Sequence, residues 1–236
     1  MKTRPLSILT SAVTITTAVW VALTIYRQAT LPPINTLADQ IAFIEGQFGL
    51  FKLNYINAAL ITLANAALFA GLYVYCRDES PIWAAVGLVF VPMYAFGNLV
   101  VYLSQVFVVP ELLALYHDPA NSIVAQNFLA MTLQEWSGAA AEFVNLLSYA
   151  LLGISSIVMG LLLKRKAAGL RAGSLLLAIS GVLSILSLVG LGTGSALLAS
   201  MVMVSGLIFL VAVVLLAAYF LHAYHPSRTA GITGAA

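Results

Sequence analysis

Six apolar segments, each long enough to cross a bilayer as a helix, run through this sequence. They cover residues 7–26, 50–75, 81–109, 138–163, 172–192 and 196–221. Crossing a hydrocarbon layer of roughly 30 Å takes about 20 helical residues. A closed barrel, the other structure that can span lipid, would need alternating segments of about ten residues, and none is present. The sequence therefore predicts an all-α, polytopic membrane bundle of six transmembrane helices.

The amino-acid composition supports this class. Apolar residues make up 62% of the 236 positions and charged residues only 8%. Water-soluble domains carry about a quarter charged residues, so this chain must use lipid as part of its solvent. A net charge of +2, without basic runs interleaved with aromatics, argues against nucleic acid as a partner. The single cysteine, Cys76, excludes an internal disulfide and a multi-cysteine metal site.

The positive charges predict the orientation. An N-terminus inside the cell places eight of the ten Lys and Arg residues in the cytoplasm and leaves Arg27 and Lys52 outside. Because positive charge is retained on the cytoplasmic side, we expect a multi-pass protein of the cell membrane with both termini cytoplasmic. No small-residue cleavage site follows the first segment, which we therefore expect to be retained. Residues 1–228 are expected to form one transmembrane domain and residues 229–236 a disordered tail.

The two long outer connections are each predicted to hold a short helix. Between the first two segments, apolar residues recur at helical spacing from Ile34 to Phe48, and Thr36 with Asp39 resembles a capping box. This amphipathic helix could lie on the outer membrane surface or pack over the mouth of the bundle. The second short helix is expected after residues 118–121. The last two segments, joined by residues 192–195, should form an antiparallel hairpin.

Polar side chains recur on one face of the second, third and fourth segments. Such groups are costly in a membrane, so those that persist usually face protein or water. Within each segment they fall in an arc of roughly 80° on a helix. The three sets are Asn54, Asn57 and Asn65; Tyr94, Asn98, Tyr102 and Gln105; and Glu135, Gly138, Glu142, Asn145 and Tyr149.

The topology places these three stripes at similar depths, from the outer interface to about mid-membrane. We therefore predict a polar cavity between helices two, three and four that is open to the outside. Its candidate ligand-binding residues are Glu142, Asn145, Tyr149, Asn98, Tyr102, Gln105, Tyr94, Asn65 and Asn57. Glu142, expected about 6 Å below Gly138 by helical rise, is the sharpest candidate, because an acid within a span is functional by default.

A structural explanation of the same residues stays open. Asn, Gln and Tyr also link membrane helices by hydrogen bonds that contribute about 0.6 kcal/mol each. For Asn65, Asn98 and Asn145 this role is favoured over ligand contact. Near the interface, simple contact with water is the favoured interpretation for Asn54, Asn57, Gln105 and Glu135. Pro92 is expected to kink the third helix beside its polar stripe.

Three features describe the layout of the chain: the long connection after the first helix, the Gln134-Glu135-Trp136-Ser137-Gly138 entrance to helix four, and the basic turn 164–166 before helix five. In these features the chain resembles a broad bacterial family of six-helix membrane proteins of unknown function. Because that family has no established activity, the resemblance implies architecture and no mechanism.

Three functional hypotheses follow. The favoured one is a non-enzymatic subunit or scaffold of a larger membrane assembly, whose partners are other membrane subunits or further copies of the chain. The second is a transporter or receptor that binds a small molecule in the predicted cavity. The third is an intramembrane enzyme using Glu142, which the absence of common catalytic motifs disfavours. The sequence predicts no catalytic residue and no metal site, and it leaves any cofactor open.

Overall fold

The computed structural model describes residues 3–224, which are helical with short connections and contain no strand. The helices are α1 (Thr3–Ala29), α2 (Leu37–Gly46), α3 (Phe48–Cys76), α4 (Pro81–Val89), α5 (Val91–Tyr116), α6 (Ser122–Thr132), α7 (Ala140–Lys166), α8 (Arg171–Thr193), α9 (Ala196–Ala199) and α10 (Met201–Tyr224). A single 3₁₀ turn, Ala168–Leu170, precedes α8.

The six predicted spans are confirmed as helices long and apolar enough to cross a membrane. They are α1, α3, α4 with α5, α7, α8 with its preceding turn, and α9 with α10. The cytoplasmic placement of both termini stays a prediction. The predicted tail, residues 229–236, lies outside the described residues.

The third span is broken where proline was expected to kink it. Helix α4 ends at Val89 and α5 begins at Val91, with Pro92 in its first turn. Proline is tolerated there because the first turn has no carbonyl to receive its missing N–H. The predicted end at residue 109 is wrong, since α5 continues through Pro110 to Tyr116. Leu113, on this extension, is buried. Its packing stabilises the helix although Pro110 has no N–H to donate to the preceding turn.

Both predicted short helices are present, as α2 and α6. The capping box at the start of α2 is confirmed: the Thr36 hydroxyl accepts from the Asp39 N–H, and the Asp39 carboxylate accepts from the Thr36 N–H. Hydrogen bonds from the Asn35 and Thr36 N–H groups hold the pKa of Asp39 below its ordinary value. This cap therefore stabilises α2 at neutral pH, and the contribution is lost as the pH falls through the lowered pKa. Which side of the membrane α2 and α6 occupy stays a prediction.

The six spans form a closed ring. Each span packs on the next in the order α1, α3, α5, α7, α8 and α10, and α10 returns to pack on α1. A ring of six helices leaves space at its centre unless large side chains fill it. The end of the ring at which α1 ends and α3 and α7 begin is named here the Arg27 end, and the opposite end the Lys166 end.

Apolar packing fills the ring only toward the Lys166 end. There Leu68, Phe69, Leu72, Met159 and Phe220 are buried in one continuous cluster. A second cluster, at the Arg27 end, lies to one side and packs α2 and α6 against α3 and α5. The space between these clusters, near the axis of the ring, is therefore available for a cavity.

Close contact between α7 and α8 depends on glycine. A Cβ added at Gly181 would collide with the carbonyl oxygen of Gly153 and lie 3.0 Å from Cγ1 of Ile157. A Cβ at Gly153 would lie 2.6 Å from the Gly181 carbonyl oxygen. Small residues at such crossings let membrane helices approach and gain packing energy that apolar surface alone does not provide in lipid.

We predict that Gly181→Ala destabilises the protein by about 1–3 kcal/mol, because overpacking forces α7 and α8 apart. Gly192→Ala on the same helix is the matched control, since nothing lies within 4 Å of the added Cβ. Its stability should be unchanged or slightly raised, because alanine is the better helix former. Thermal unfolding in one detergent measures both variants, and equal melting temperatures would contradict the close crossing.

Candidate functional site

A cavity of about 370 Å³ lies at the centre of the ring, and every span contributes to its wall. One wall residue from each span in ring order is Trp20, Asn65, Tyr102, Tyr149, Ser184 and Phe209. This is within the size range of sites for small molecules, which are concave and mostly apolar with a few convergent polar groups.

The cavity reaches the protein surface at the Arg27 end. Its wall there includes Gln28 and Leu31, which are both exposed, and Met203 on α10, which is 50% exposed. The packed cluster around Phe69 and Met159 closes the ring at the Lys166 end. A molecule could therefore enter from the Arg27 end and could not pass straight through this conformation.

A buried ion pair lies at the mouth of the cavity. Arg27, in the last turn of α1, donates from both terminal nitrogens to the two carboxylate oxygens of Glu135, with Nη2–Oε2 at 2.9 Å. The Arg27 side chain is 7% exposed and that of Glu135 is 29% exposed. Two parallel charge-assisted bonds of this kind have strong directional preference as well as energy.

The surroundings of this pair supply the contacts that a buried charge needs. Glu135 also accepts hydrogen bonds from the Tyr55 hydroxyl at 3.1 Å and from Gln40 Nε2 at 3.2 Å. The Arg27 guanidinium lies 5.5 Å from the ring centroid of Phe51 and 5.6 Å from that of Phe43. Aromatic faces attract cations at this range. The carboxylate of Glu135 therefore joins α1, α2 and α3 to the connector between α6 and α7.

That connector, residues 133–139, is held on its other side by amides. Gln105 donates to the Thr132 carbonyl oxygen at 2.8 Å and accepts from the Gln134 N–H. Gln134 donates to the Asn145 side-chain oxygen at 3.2 Å. The connector thus lies across the Arg27 end as an ordered segment, although it has no regular helix of its own.

The structure brings polar groups of the second, third and fourth spans together. Asn145 donates to Asn98 at 3.2 Å and to the Tyr102 hydroxyl at 3.0 Å, and the Tyr102 and Tyr149 hydroxyls are 2.8 Å apart. Asn65 donates to the Tyr94 hydroxyl at 3.1 Å. This network links three helices, as the stripes indicated.

The predicted residues divide into two groups in the structure. Glu142, Asn145, Tyr149, Tyr102 and Asn65 line the cavity. Asn98, Tyr94, Gln105 and Asn57 lie behind or beside the wall, where Asn57 donates to the Thr16 carbonyl oxygen of α1 at 3.0 Å. Whether any of the nine binds a ligand stays a prediction.

One expectation about the interface is wrong. Asn54, Asn57 and Gln105 were expected to contact water, but each is less than a tenth exposed. Glu135 does keep contact with water, since 29% of its side chain is exposed, and the same carboxylate also pairs with Arg27. Asn57 is bonded to α1 and Gln105 to the segment around Thr132 and Gln134, and residue spacing within a single span carries no information on such contacts.

The expected depth of Glu142 also needs correction. Gly138 lies before the helix, with φ of +81°, and α7 begins only at Ala140. Glu142 is therefore in the first turn of α7, half-buried, and its Oε2 accepts from the Gly138 N–H at 2.8 Å. It lies at the mouth of the cavity and not a turn below it.

The walls contributed by α1, α8 and α10 were missed. Thr17, Trp20 and Thr24 line the cavity from α1, and Ser180 and Ser184 line it from α8. The signal that could have found those of α1 is spacing, because residues 17, 20, 24 and 27 share one helical face that ends in Arg27.

Several wall side chains have a polar atom without a hydrogen-bond partner among residues 3–224. The atoms are Thr17 Oγ1, Thr24 Oγ1, Arg27 Nε, Asn54 Oδ1 and Asn65 Oδ1. Buried polar groups in folded proteins are almost always paired, with protein, water or ligand. These atoms themselves have almost no accessible surface, so they lie in the packing behind the cavity surface and do not face its contents.

The described residues hold no group of three or more His, Cys, Asp or Glu that could bind a metal ion. Comparison with known proteins gives no match: no family model, no curated protein and no solved structure matches this chain. Fold and site together define the class as a multi-pass helical membrane protein with a central cavity. The function must then be inferred from the geometry of that cavity.

We predict that Glu135→Gln lowers the free energy of unfolding by about 1–3 kcal/mol, because the buried Arg27 loses its charged partner while the side chain of residue 135 stays partly exposed to water. Glu111→Gln, an equal change at an exposed carboxylate on α5, should have little effect. The double variant Arg27→Met, Glu135→Met should recover most of the loss. Unfolding in a mixed-micelle titration measures all three, and additive losses in the double variant would contradict the pairing.

Proposed function

We propose that this protein is a multi-pass membrane protein that binds a small molecule in the central cavity, as a receptor or transporter does. The observation that carries this proposal is a cavity of about 370 Å³ whose wall includes polar side chains from all six spans. A gap between apolar helices would be filled by larger side chains or would collapse, since empty volume costs packing energy. Here the wall is polar on several sides, which supports a space kept for a ligand.

The shape of the site supports entry from one side. The cavity meets exposed residues at the Arg27 end and closed packing at the Lys166 end. A transporter would require a second conformation in which the Lys166 end opens, whereas a receptor would not. The predicted orientation would place the mouth on the outer side of the membrane.

A volume change in the wall tests the proposal. Ala58 is buried on α3 and lines the cavity, whereas Ala67 on the same helix is exposed. We predict that Ala58→Leu weakens binding of the probe 4-phenylbutan-1-ol at least about tenfold, because the larger side chain occupies the cavity. Ala67→Leu should bind as the parent does.

Equilibrium binding to protein in lipid nanodiscs, with empty nanodiscs subtracted, measures this difference. Native mass spectrometry of the released complex gives the stoichiometry, which should be one. Equal binding by the parent, Ala58→Leu and Ala67→Leu would place the probe in lipid and contradict the proposal. Parent protein that binds no probe would contradict it as well.

A second candidate, the non-enzymatic subunit or scaffold, is supported by one surface. Helix α5 presents an exposed apolar stripe with alternating spacings of three and four residues. Its members are Met93, Phe96, Val100, Leu103 and Phe107. This spacing suits packing against another helix as well as lipid. The intramembrane-enzyme hypothesis gains no comparable support, since the described wall places no histidine or cysteine beside Glu142.

Native mass spectrometry after mild extraction tests this second candidate. A subunit should be recovered with a stoichiometric partner or as a defined oligomer, and Phe96→Ser with Phe107→Ser should release it. Stable monomer as the sole species at full thermal stability would contradict the scaffold hypothesis. That outcome would leave the ligand-binding proposal in place.

A further inference from the structure

The ionisable groups of the cavity wall do not balance in charge. Among the described wall residues, the acids and bases are Arg27, Glu135 and Glu142. Arg27 and Glu135 neutralise each other through two direct hydrogen bonds. Glu142 is left as the acid of the wall without a basic side-chain partner, and it lies in the first turn of α7, where the helix dipole partly offsets its charge. The cavity therefore has one acidic side chain at its mouth that no basic side chain of the wall pairs with.

The carboxylate of Glu142 is available to a ligand. Its Oε2 accepts one backbone hydrogen bond from Gly138, and the side chain is half-buried at the edge of the cavity. A carboxylate has lone pairs for about four hydrogen bonds, so one backbone contact leaves most of its capacity free. In a partly dry site a pairing cation gains more than it would in water.

The rest of the wall suits a cation with an apolar body. Trp20, Tyr55, Tyr102 and Tyr149 contribute aromatic rings, and aromatic faces attract ammonium groups. Leu152 and Phe209 line the deeper part of the wall, where a hydrocarbon group would be buried. The amides of Asn54 and Asn145, which are also in the wall, add no positive charge that would repel a cation.

An anionic ligand would meet the opposite conditions. Its carboxylate would be repelled by Glu142 and could reach Arg27 only by displacing Glu135, which holds Tyr55 and Gln40 as well. The free energy lost by breaking the Arg27–Glu135 pair would exceed the free energy gained from the new contact with the ligand, because Glu135 would be left without its charged partner. A neutral ligand could fit the cavity but would leave Glu142 unused.

We propose that the cavity selects a lipophilic amine whose ammonium group pairs with Glu142 and whose apolar body lies between the aromatic and aliphatic wall residues. This inference rests on the proposed function and names the chemical class of its ligand. The Arg27–Glu135 pair lies beside the ammonium group at the mouth and contributes no net charge there.

Three compounds with one apolar body separate charge from shape. They are 4-phenylbutan-1-amine, 4-phenylbutan-1-ol and 4-phenylbutanoic acid, which at pH 7 are cationic, neutral and anionic. Binding to the parent protein in uncharged-lipid nanodiscs should follow that order, with the amine at least about tenfold tighter than the alcohol because its hydrogen bond is charge-assisted. Glu142→Gln should reduce the ratio of amine affinity to alcohol affinity to about one.

The matched control is Glu111→Gln, which removes an equal charge from an exposed site on α5 and should keep the full amine preference. A preference for the acid, equal binding of all three compounds, or an amine preference that survives in Glu142→Gln would overturn the inference about ligand charge. In each of those cases alcohol binding sensitive to Ala58→Leu would still support the cavity as a binding site. Failure of every compound to bind the parent would overturn both proposals.

Discussion

The buried pair between Arg27 and Glu135 is the interaction on which the open end of this bundle depends. Arg27 ends the first span, and Glu135 comes more than a hundred residues later in the connector before α7. Neither charge could be buried alone, because desolvation would cost several kcal/mol. Together with Tyr55 and Gln40 they fix the relative positions of α1, α2, α3 and the connector.

The cavity follows from this arrangement and from the ring of spans below it. Glycines such as Gly153 and Gly181 bring α7 and α8 close together, so the ring closes on that side. Large apolar side chains fill its centre only toward the Lys166 end. The remaining volume is bounded by hydroxyls, amides and aromatic rings from all six spans. Polar residues that would be costly in lipid are thus collected where they can meet each other and a bound molecule.

Much of the fold could be predicted from the sequence, because a membrane leaves few options. Segment length and the absence of charge are enough to find six spans, and the Thr36–Asp39 pattern is enough to find the start of α2. The helical period also showed that Asn98, Asn145 and Tyr102 would face one another. These features are local, or depend on one helix at a time.

The parts that could not be predicted depend on which helices are neighbours. Closure of the ring by α10 against α1 brings Thr17 and Ser184 to one cavity, and no spacing within either helix reveals that contact. The pairing of Arg27 was not predicted, because its partner Glu135 lies in a distant connector. Glu142 was placed too deep because Gly138, with its positive φ, delays the start of α7. Contacts between helices and the backbone turn at Gly138 therefore determine where the site residues lie, and spacing within one helix reveals neither.

The most direct test of the Arg27–Glu135 pair is whether residues 27 and 135 lie close together in the protein. In a Cys76→Ser chain carrying Arg27→Cys and Glu135→Cys, a short bifunctional thiol reagent should join the two cysteines within one molecule, detected by intact mass and by a cross-linked peptide pair. The matched pair Arg27→Cys and Glu111→Cys should stay unlinked under the same conditions. Linkage of 27 to 111, or none between 27 and 135 while each cysteine alone reacts, would contradict the pairing at the mouth and the cavity behind it.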